Sequence, residues 1–158
     1  METIIDLIFR GQKPDFNLVR DLLEMSDDFY LTVNDDYNIR DKSEVLKQFQ
    51  NTDGENLNLA LNHSTLNFGQ YEASNSYINL IQENGESELL FYFDVNDLFL
   101  NDYKKAIDFL FAWGDSFLKR HTFFKEMICR IDEGNNSETF FTEKGWGPLY
   151  KKMWLNRK

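Results

Sequence analysis

Hydrophobic and polar residues alternate in two stretches that flank Asn84-Gly85, and this pattern predicts a β-hairpin. The first stretch covers residues 77–83 and the second covers residues 87–95. Asn-Gly tolerates the positive φ angles of a type I′ turn, so the turn fixes how the two strands pair. In that register six apolar side chains share one face of the hairpin: Ile78, Leu80, Leu89, Phe91, Phe93 and Val95.

The segment after the hairpin has helical periodicity and is predicted to cover this apolar face. It begins after Asn101, the expected N-cap, and continues to Arg120. Gly114 lies at the centre of its apolar stripe, where glycine costs about 1 kcal/mol of helix propensity relative to alanine. We therefore expect Gly114 to allow a close approach of the helix to Leu89, Phe91 and Phe93. The stripe consists of Tyr103, Ala106, Ile107, Leu110, Phe111, Gly114, Phe117 and Leu118.

Three further helices are predicted in the first half of the chain. Residues 3–9 are interpreted as a short helix, although their isoleucines also suit a strand. A second helix is expected from Asp15 to about Met25, with Phe16 among its inward residues. A third begins at Asp41, where Asp41-Lys-Ser-Glu44 matches a capping box.

Strands are predicted on either side of these helices. Residues 29–33 have strong β propensity, and a turn at 34–36 leads to a partner strand around 37–40. Alternation from Leu57 predicts another strand, with a bend or bulge near His63-Ser64 where the alternation changes phase. A returning strand is expected at 123–131 and a short one at 139–142.

Together these elements predict an α+β fold, with a mainly antiparallel sheet and helices packed on one face. The 158 residues are 42% hydrophobic and show no linker-like stretch, so we expect a single domain over residues 1–158. The lone cysteine, Cys129, fits a reducing compartment, and no segment resembles a signal peptide or a membrane span. A cytoplasmic protein that does not bind membranes is the expectation; the oligomeric state is left open.

The charge distribution favours a protein as the partner. The net charge is −10, which argues against binding a nucleic-acid backbone. All 27 acidic residues lie within residues 1–143, which carry −15, whereas the last fifteen residues carry +5. Such an acidic body suits solubility and also electrostatic steering toward a basic protein.

Residues that perform chemistry do not form a recognised motif. The two histidines, His63 and His121, lie in no known pattern, and His121 is interpreted as a helix C-terminal residue whose charged form is favoured there. Residues 34–45 resemble the start of a calcium loop, but Ile39 stands where glycine is required. We predict no catalytic residue, no metal site and no cofactor.

Exposed aromatic and acidic residues are the candidates for partner binding. Phe109 and Trp113 project to one side of the helical stripe and must be covered by residues 145–154 or by another protein. The turn at 145–150 presents two further aromatic rings, which either close the core or anchor an interface. The predicted partner-binding residues are Phe109, Trp113, Trp146, Tyr150 and the turn acids Asp35 and Asp36.

From Ser76 onward, the order of hairpin, amphipathic helix, strand and Gly145-Trp-Gly147 turn resembles the small acidic α+β immunity proteins that accompany bacterial polymorphic toxins. The resemblance implies a non-enzymatic inhibitor that binds one toxin domain, often a basic nuclease. It implies no catalytic residues. A non-enzymatic protein-binding module is therefore the leading functional expectation, with a basic toxin domain as the partner.

The first half of the chain supports an alternative. Its predicted helices, the strand at 29–33 and the helix from Asp41 resemble the opening of an NTF2-like cone-shaped fold. That resemblance implies a pocket for a small molecule or a substrate, with His63 as its polar residue. An enclosed pocket holding His63 and a carboxylate would favour this alternative, and a filled core with an exposed acidic face would favour the first.

Overall fold

A computed structural model of the protein describes residues 3–27, 30–33, 42–51, 56–69, 71–98 and 102–155. Within these ranges the strands form one nine-stranded sheet in which every pair is antiparallel. The strand order is β2-β4-β5-β6-β1-β7-β8-β9, and β3 also pairs with β4. The strands are β1 (Ile4–Gln12), β2 (Ser26–Asp27), β3 (Tyr30–Val33), β4 (Leu57–Asn67), β5 (Glu72–Glu83), β6 (Glu86–Asp94), β7 (Phe124–Ile131), β8 (Thr139–Thr142) and β9 (Gly145–Trp146).

The helices pack on one face of this sheet, which confirms the predicted α+β fold with a mainly antiparallel sheet. They share one hydrophobic core with the inward side chains of the strands. Among the described residues, no helix is both long and apolar enough to cross a membrane. The helices are α1 (Phe16–Glu24), α2 (Lys42–Asn51), α3 (Tyr103–Arg120) and the short α4 (Pro148–Tyr150).

The β5–β6 hairpin has the predicted turn and register. Asn84 and Gly85 both have positive φ, 52° and 80°, as a type I′ turn requires. Leu80 pairs with Leu89, and Ile78 pairs with Phe91. All six side chains predicted on the inner face are at most 1% exposed. The local turn chemistry therefore determines a large part of the core.

The first segment is a strand, so the predicted helix at residues 3–9 is wrong and its strand alternative is correct. β1 lies between β6 and β7 near the middle of the sheet, where both of its edges are paired. Ile5, Leu7 and Phe9 are fully buried on the helix-covered face, and Ile8 on the other face is 3% exposed. β-Branched residues that are buried on both faces suit a central strand better than an amphipathic helix.

The helix α1 begins close to its predicted start. Asp15 is its N-cap and accepts a hydrogen bond from the Leu18 backbone N–H at 3.1 Å. Leu18, rather than the expected Phe16, is among the buried residues of this helix. Phe16 is only partly buried.

The bend predicted near His63-Ser64 is confirmed, because the pairing of β4 with β5 shifts register between Leu61 and Leu66. The predicted strand at 29–33 is present as β3, which pairs with β4. The predicted turn at 34–36 and partner strand at 37–40 lie outside the described residues.

The long helix α3 begins one residue later than predicted, with Asp102 as its N-cap. The Asp102 side chain accepts a hydrogen bond from the Lys105 backbone N–H at 3.1 Å. A carboxylate in this position satisfies a free backbone donor and also interacts favourably with the helix dipole.

Gly114 allows the close approach that the sequence predicts, but to different neighbours. A Cβ atom at this position would lie 2.5 Å from Met127 Sδ and 3.7 Å from Phe9 Cζ. The helix therefore crosses the sheet over β1 and β7, instead of over Leu89, Phe91 and Phe93 as predicted. β1 was not expected in the sheet, which is why the central contact was assigned to the hairpin.

We expect Gly114→Leu to lower the free energy of unfolding by about 1–3 kcal/mol, because the added side chain overpacks the contact with Met127. Chemical denaturation measures the change. Ala112→Leu is the matched control, since Ala112 is exposed on the same helix. Equal denaturation midpoints for the two variants would contradict the close contact.

Candidate protein-binding surface

The face of the sheet opposite the helices is open in the described part of the chain, and we call it the open face. Side chains along β5 and β6 alternate between buried and partly exposed, as expected when one face is covered and the other is not. The partly exposed set includes large apolar and aromatic groups. The open face is defined by Tyr77, Ile81, Leu90, Tyr92, Ile8 and Ile128, together with the charged residues at its two ends.

The strand register places an apolar row across the middle of the open face. Leu90 on β6 lies opposite Ile8 on β1, and Ile8 lies opposite Ile128 on β7. Tyr77 and Tyr92 form a cross-strand pair on one side of this row. Leu90 and Ile128 are partly exposed, whereas Ile8 between them is 3% exposed, so the row presents two accessible apolar side chains on either side of a buried one.

One end of the open face is an acidic cleft of about 600 Å³ beside the hairpin turn. Arg10 and Glu88 form an ion pair across it at 2.9 Å. Among the described residues no ion pair involves Glu83, Glu86 or Glu126, and all three are exposed. The cleft is lined by Arg10, Gly11, Gln12, Ile81, Glu83, Glu86, Ser87, Glu88, Lys125 and Glu126.

The other end of the open face is also negatively charged. Asp6 is 5% exposed and accepts hydrogen bonds from Arg130 Nε at 3.4 Å and the Glu133 backbone N–H at 3.2 Å. Burial raises the pKa of Asp6, whereas these two donors oppose the shift. The Tyr92 hydroxyl donates to Asp132 at 3.5 Å, and burial together with the Asp132 charge raises the pKa of Tyr92.

The open face is large enough for a specific protein interface. The four neighbouring strands that carry it, β5, β6, β1 and β7, occupy about 19 Å at about 4.8 Å per strand, and β1 extends for about 30 Å. Their product is on the order of 600 Å², which approaches the roughly 800 Å² that each partner buries in a standard interface.

Phe109 and Trp113 lie on the side of α3 that faces the β4–β5 connection. The Trp113 ring is 4.8 Å from the Phe68 ring and 4.9 Å from the Phe117 ring, and Phe109 is 5.0 Å from Tyr71. Both side chains are partly buried. The rings that pack on them include Phe68 and Tyr71, which lie in the β4–β5 connection. Their role in partner binding stays a prediction.

Trp146 and Tyr150 lie on the opposite side of α3, so the structure does not bring them together with Trp113. Their rings stack at 3.8 Å, and Trp146 is also 4.5 Å from Phe111. Tyr150 is 3% exposed, and its hydroxyl donates to Asp108 at 2.5 Å. The C-terminal segment thus packs on α3 through aromatic contacts.

The remaining sequence candidates fall partly outside the described residues. Asp35 and Asp36 lie in an undescribed range, and so does the side chain of His63. Cys129 is fully buried, and burial raises the pKa of its thiol. In the described ranges, no group of three or more His, Cys, Asp or Glu side chains is arranged to hold a metal ion.

His121 follows α3 as its C-cap, where burial determines its protonation. It is 3% exposed, and its ring lies 4.6 Å from Phe117. Burial lowers the pKa of His121, and the carboxylate of Asp21, 3.1 Å from Nε2, only partly opposes the shift. The predicted position of His121 at the C-terminal end of the helix is confirmed, whereas burial opposes the charged imidazolium that the helix end would favour.

The comparisons with known proteins give one structural match. No family model matches the sequence, and no curated protein does. The fold is similar to that of a chain in the 1.75 Å crystal structure of the toxic C-terminal tip of CdiA from Pseudomonas aeruginosa in complex with immune protein. The match has a TM-score of 0.66 at 14% sequence identity and covers 94% of this chain and 99% of the other.

This match connects the fold to a toxin and immune protein complex, as the resemblance in the sequence predicts. The similarity extends over nearly the whole of both chains, whereas the sequence resemblance began at Ser76. It places the first half, including β1, in the same fold.

The open face was not identified from the sequence, although a signal for it is present. Leu90 and Tyr92 alternate with the inward residues Leu89, Phe91 and Phe93. A strand with apolar side chains on both faces is unusual in a two-layer fold unless the outer face is also covered. This pattern of apolar residues could have identified β6 as part of a binding surface.

Trp113→Ala is expected to lower the free energy of unfolding by about 3 kcal/mol, because the change removes a ring packed against Phe68, Phe91 and Phe117. Thermal and chemical denaturation measure the effect. Trp113→Phe retains one aromatic ring and should lose less than half as much. An alanine variant as stable as the wild type would show that these contacts contribute little.

The lowered pKa of His121 predicts a pH-dependent contribution to stability. Below about pH 6.5 the unfolded chain binds a proton at His121 that the folded chain does not. The free energy of unfolding therefore decreases as pH falls below about 6.5. As pH decreases from about 7.5 to 5.5, the wild type should lose free energy of unfolding relative to His121→Phe. A difference that stays constant over this range would refute the buried neutral imidazole.

Proposed function

We propose that this protein is an immunity protein that binds and inhibits a cognate bacterial toxin domain. The observation that carries the proposal is the fold match over 94% of the chain to a chain from a toxin and immune protein complex. In the complex with its toxin, this protein is the acidic, non-enzymatic inhibitor. It acts in the cytoplasm, where the toxin would otherwise act.

The charge of the chain supports this assignment. A net charge of −10 disfavours contact with a nucleic-acid backbone, which a toxin that cleaves nucleic acid would have to make. The same charge attracts a basic toxin domain and accelerates association. The partner is therefore a basic protein domain, and nucleic acid is not a ligand.

The pocket alternative has no comparable support. The acidic cleft is an open surface feature beside the hairpin turn, and no histidine lines it. The core beneath α3 is filled by aromatic side chains such as Phe9, Phe91 and Phe117. These observations agree with the filled core and exposed acidic surface expected of a binding protein.

We expect a toxin gene to lie directly upstream of the gene for this chain, and the C-terminal domain of that toxin is the probe for the test. Co-expression of the two chains should restore growth that the toxin domain alone prevents, and the purified chains should form a complex. Association should slow as ionic strength rises from about 0.05 to 0.5 M, because salt screens charges beyond a few ångströms. The same preparation should show no binding to duplex DNA at physiological salt.

Two results would contradict the proposal. The first is continued growth arrest when both chains are present at equal levels, which would show that the chain does not neutralise the toxin. The second is tight binding to duplex DNA in physiological salt, which would identify the chain as a nucleic-acid-binding protein instead of an acidic inhibitor.

A further inference from the structure

We propose that the open face of the sheet is the toxin-binding surface, and that it receives a basic toxin domain whose apolar centre packs on the partly exposed Leu90 and Ile128, which flank the buried Ile8. This inference rests on the proposed function and adds the surface and the chemistry of the partner. The acidic cleft at the hairpin end receives lysine or arginine side chains of that domain.

The first argument is charge complementarity. Eight carboxylates border the two ends of the apolar row, and three basic side chains stand among them. Arg10 pairs with Glu88 and Arg130 with Asp6, and each pair is locally neutral, which leaves six carboxylates and Lys125 outside these pairs. The carboxylates are Asp6, Glu83, Glu86, Glu88, Asp94, Glu126, Asp132 and Glu133; the basic residues are Arg10, Lys125 and Arg130.

The second argument is the arrangement of apolar and charged groups. An apolar centre surrounded by a polar rim is the usual anatomy of a specific interface, and tyrosine is enriched at its centre. Leu90, Ile128 and the Tyr77–Tyr92 pair are partly exposed in the free chain. An area on the order of 600 Å² approaches one side of a standard interface.

The other aromatic groups of the molecule are less suited to this role. Tyr150 is 3% exposed and its hydroxyl donates to Asp108, so presenting this ring to a partner would first break internal contacts. Trp146 is partly exposed, but its ring is stacked on Tyr150 and also lies 4.5 Å from Phe111. The open face offers several partly exposed apolar and aromatic side chains that need no rearrangement.

A second copy of this chain is disfavoured as the occupant. Face-to-face pairing of two identical open faces would bring two sets of carboxylates toward each other, and like charges oppose association. A basic partner removes this repulsion, because each carboxylate then faces a positive charge.

The test compares charge reversal on the open face with charge reversal on the helix side. Glu86→Lys combined with Glu126→Lys changes two exposed carboxylates of the acidic cleft. Glu24→Lys combined with Glu44→Lys changes net charge by the same amount on the exposed surfaces of α1 and α2. Affinity for the upstream-encoded toxin domain is measured by titration calorimetry, and association rates are measured at two salt concentrations.

A second pair of variants tests the apolar row. Leu90→Arg places a charge at one end of the row, next to Ile8, and Ala112→Arg places the same side chain on the exposed surface of α3. Thermal melts of all variants confirm that they fold. Should Leu90→Arg fail to fold, the exposed glutamate pair still decides the question.

We expect Glu86→Lys combined with Glu126→Lys to weaken binding at least tenfold and to reduce the salt dependence of association. Glu24→Lys combined with Glu44→Lys should change affinity less than threefold. Leu90→Arg should weaken binding by about thirtyfold or more, because it puts a charge against the apolar centre of the partner. Normal affinity in both open-face variants would overturn the inference while leaving the proposed function intact.

Two further outcomes are distinguishable. If the wild type does not bind the toxin domain, the proposed function fails before the surface is tested. If the free wild type is a dimer that Leu90→Arg converts to a monomer, the open face belongs to a second copy, and the inference is overturned.

Discussion

The close contact of α3 with β1 and β7 at Gly114 organises this structure. A side chain at that position would overlap Met127, so glycine lets the helix lie directly on the sheet. Phe9 lies beneath the helix and contacts Phe91, Trp113, Phe117 and Phe124. Because all helices pack on this side, the opposite side of the sheet remains open among the described residues.

The aromatic groups around α3 have separate roles as a consequence of this arrangement. On one side, Phe68 and Tyr71 pack on Trp113 and Phe109. On the other side, the C-terminal segment closes over Tyr103 and Phe111 through Trp154 and Trp146. These contacts hold the helix in place from both edges, which directs attention for partner binding to the open face.

The sequence predicts those parts of the fold that depend on local chemistry. The Asn84-Gly85 turn, the six inward residues of the hairpin and the position of α3 follow from turn geometry and periodicity, and the structure confirms them. The strand β1 was misassigned because its nine residues acquire their partners from β6 and β7, which are distant in sequence. The predicted neighbours of Gly114 were also wrong, because the contact is made to β1 and β7 and β1 was not expected in the sheet.

The candidate surface was harder to predict than the fold. Which aromatic residues stay accessible depends on how separate segments pack, and neither the cover of Trp113 by Phe68 nor the burial of Tyr150 is encoded locally. The open face requires the order of the strands, because Leu90, Ile8 and Ile128 are joined only through the pairing of three strands.

The most direct test of this account is methyl NMR of the chain, free and bound to the upstream-encoded toxin domain, with a soluble paramagnetic probe in the solvent. The account predicts that the probe broadens the Ile81, Leu90 and Ile128 methyl signals in the free chain, and that the toxin domain protects them. Protection confined to methyl groups on the helix side, such as Leu118, with unchanged broadening on the open face, would contradict it.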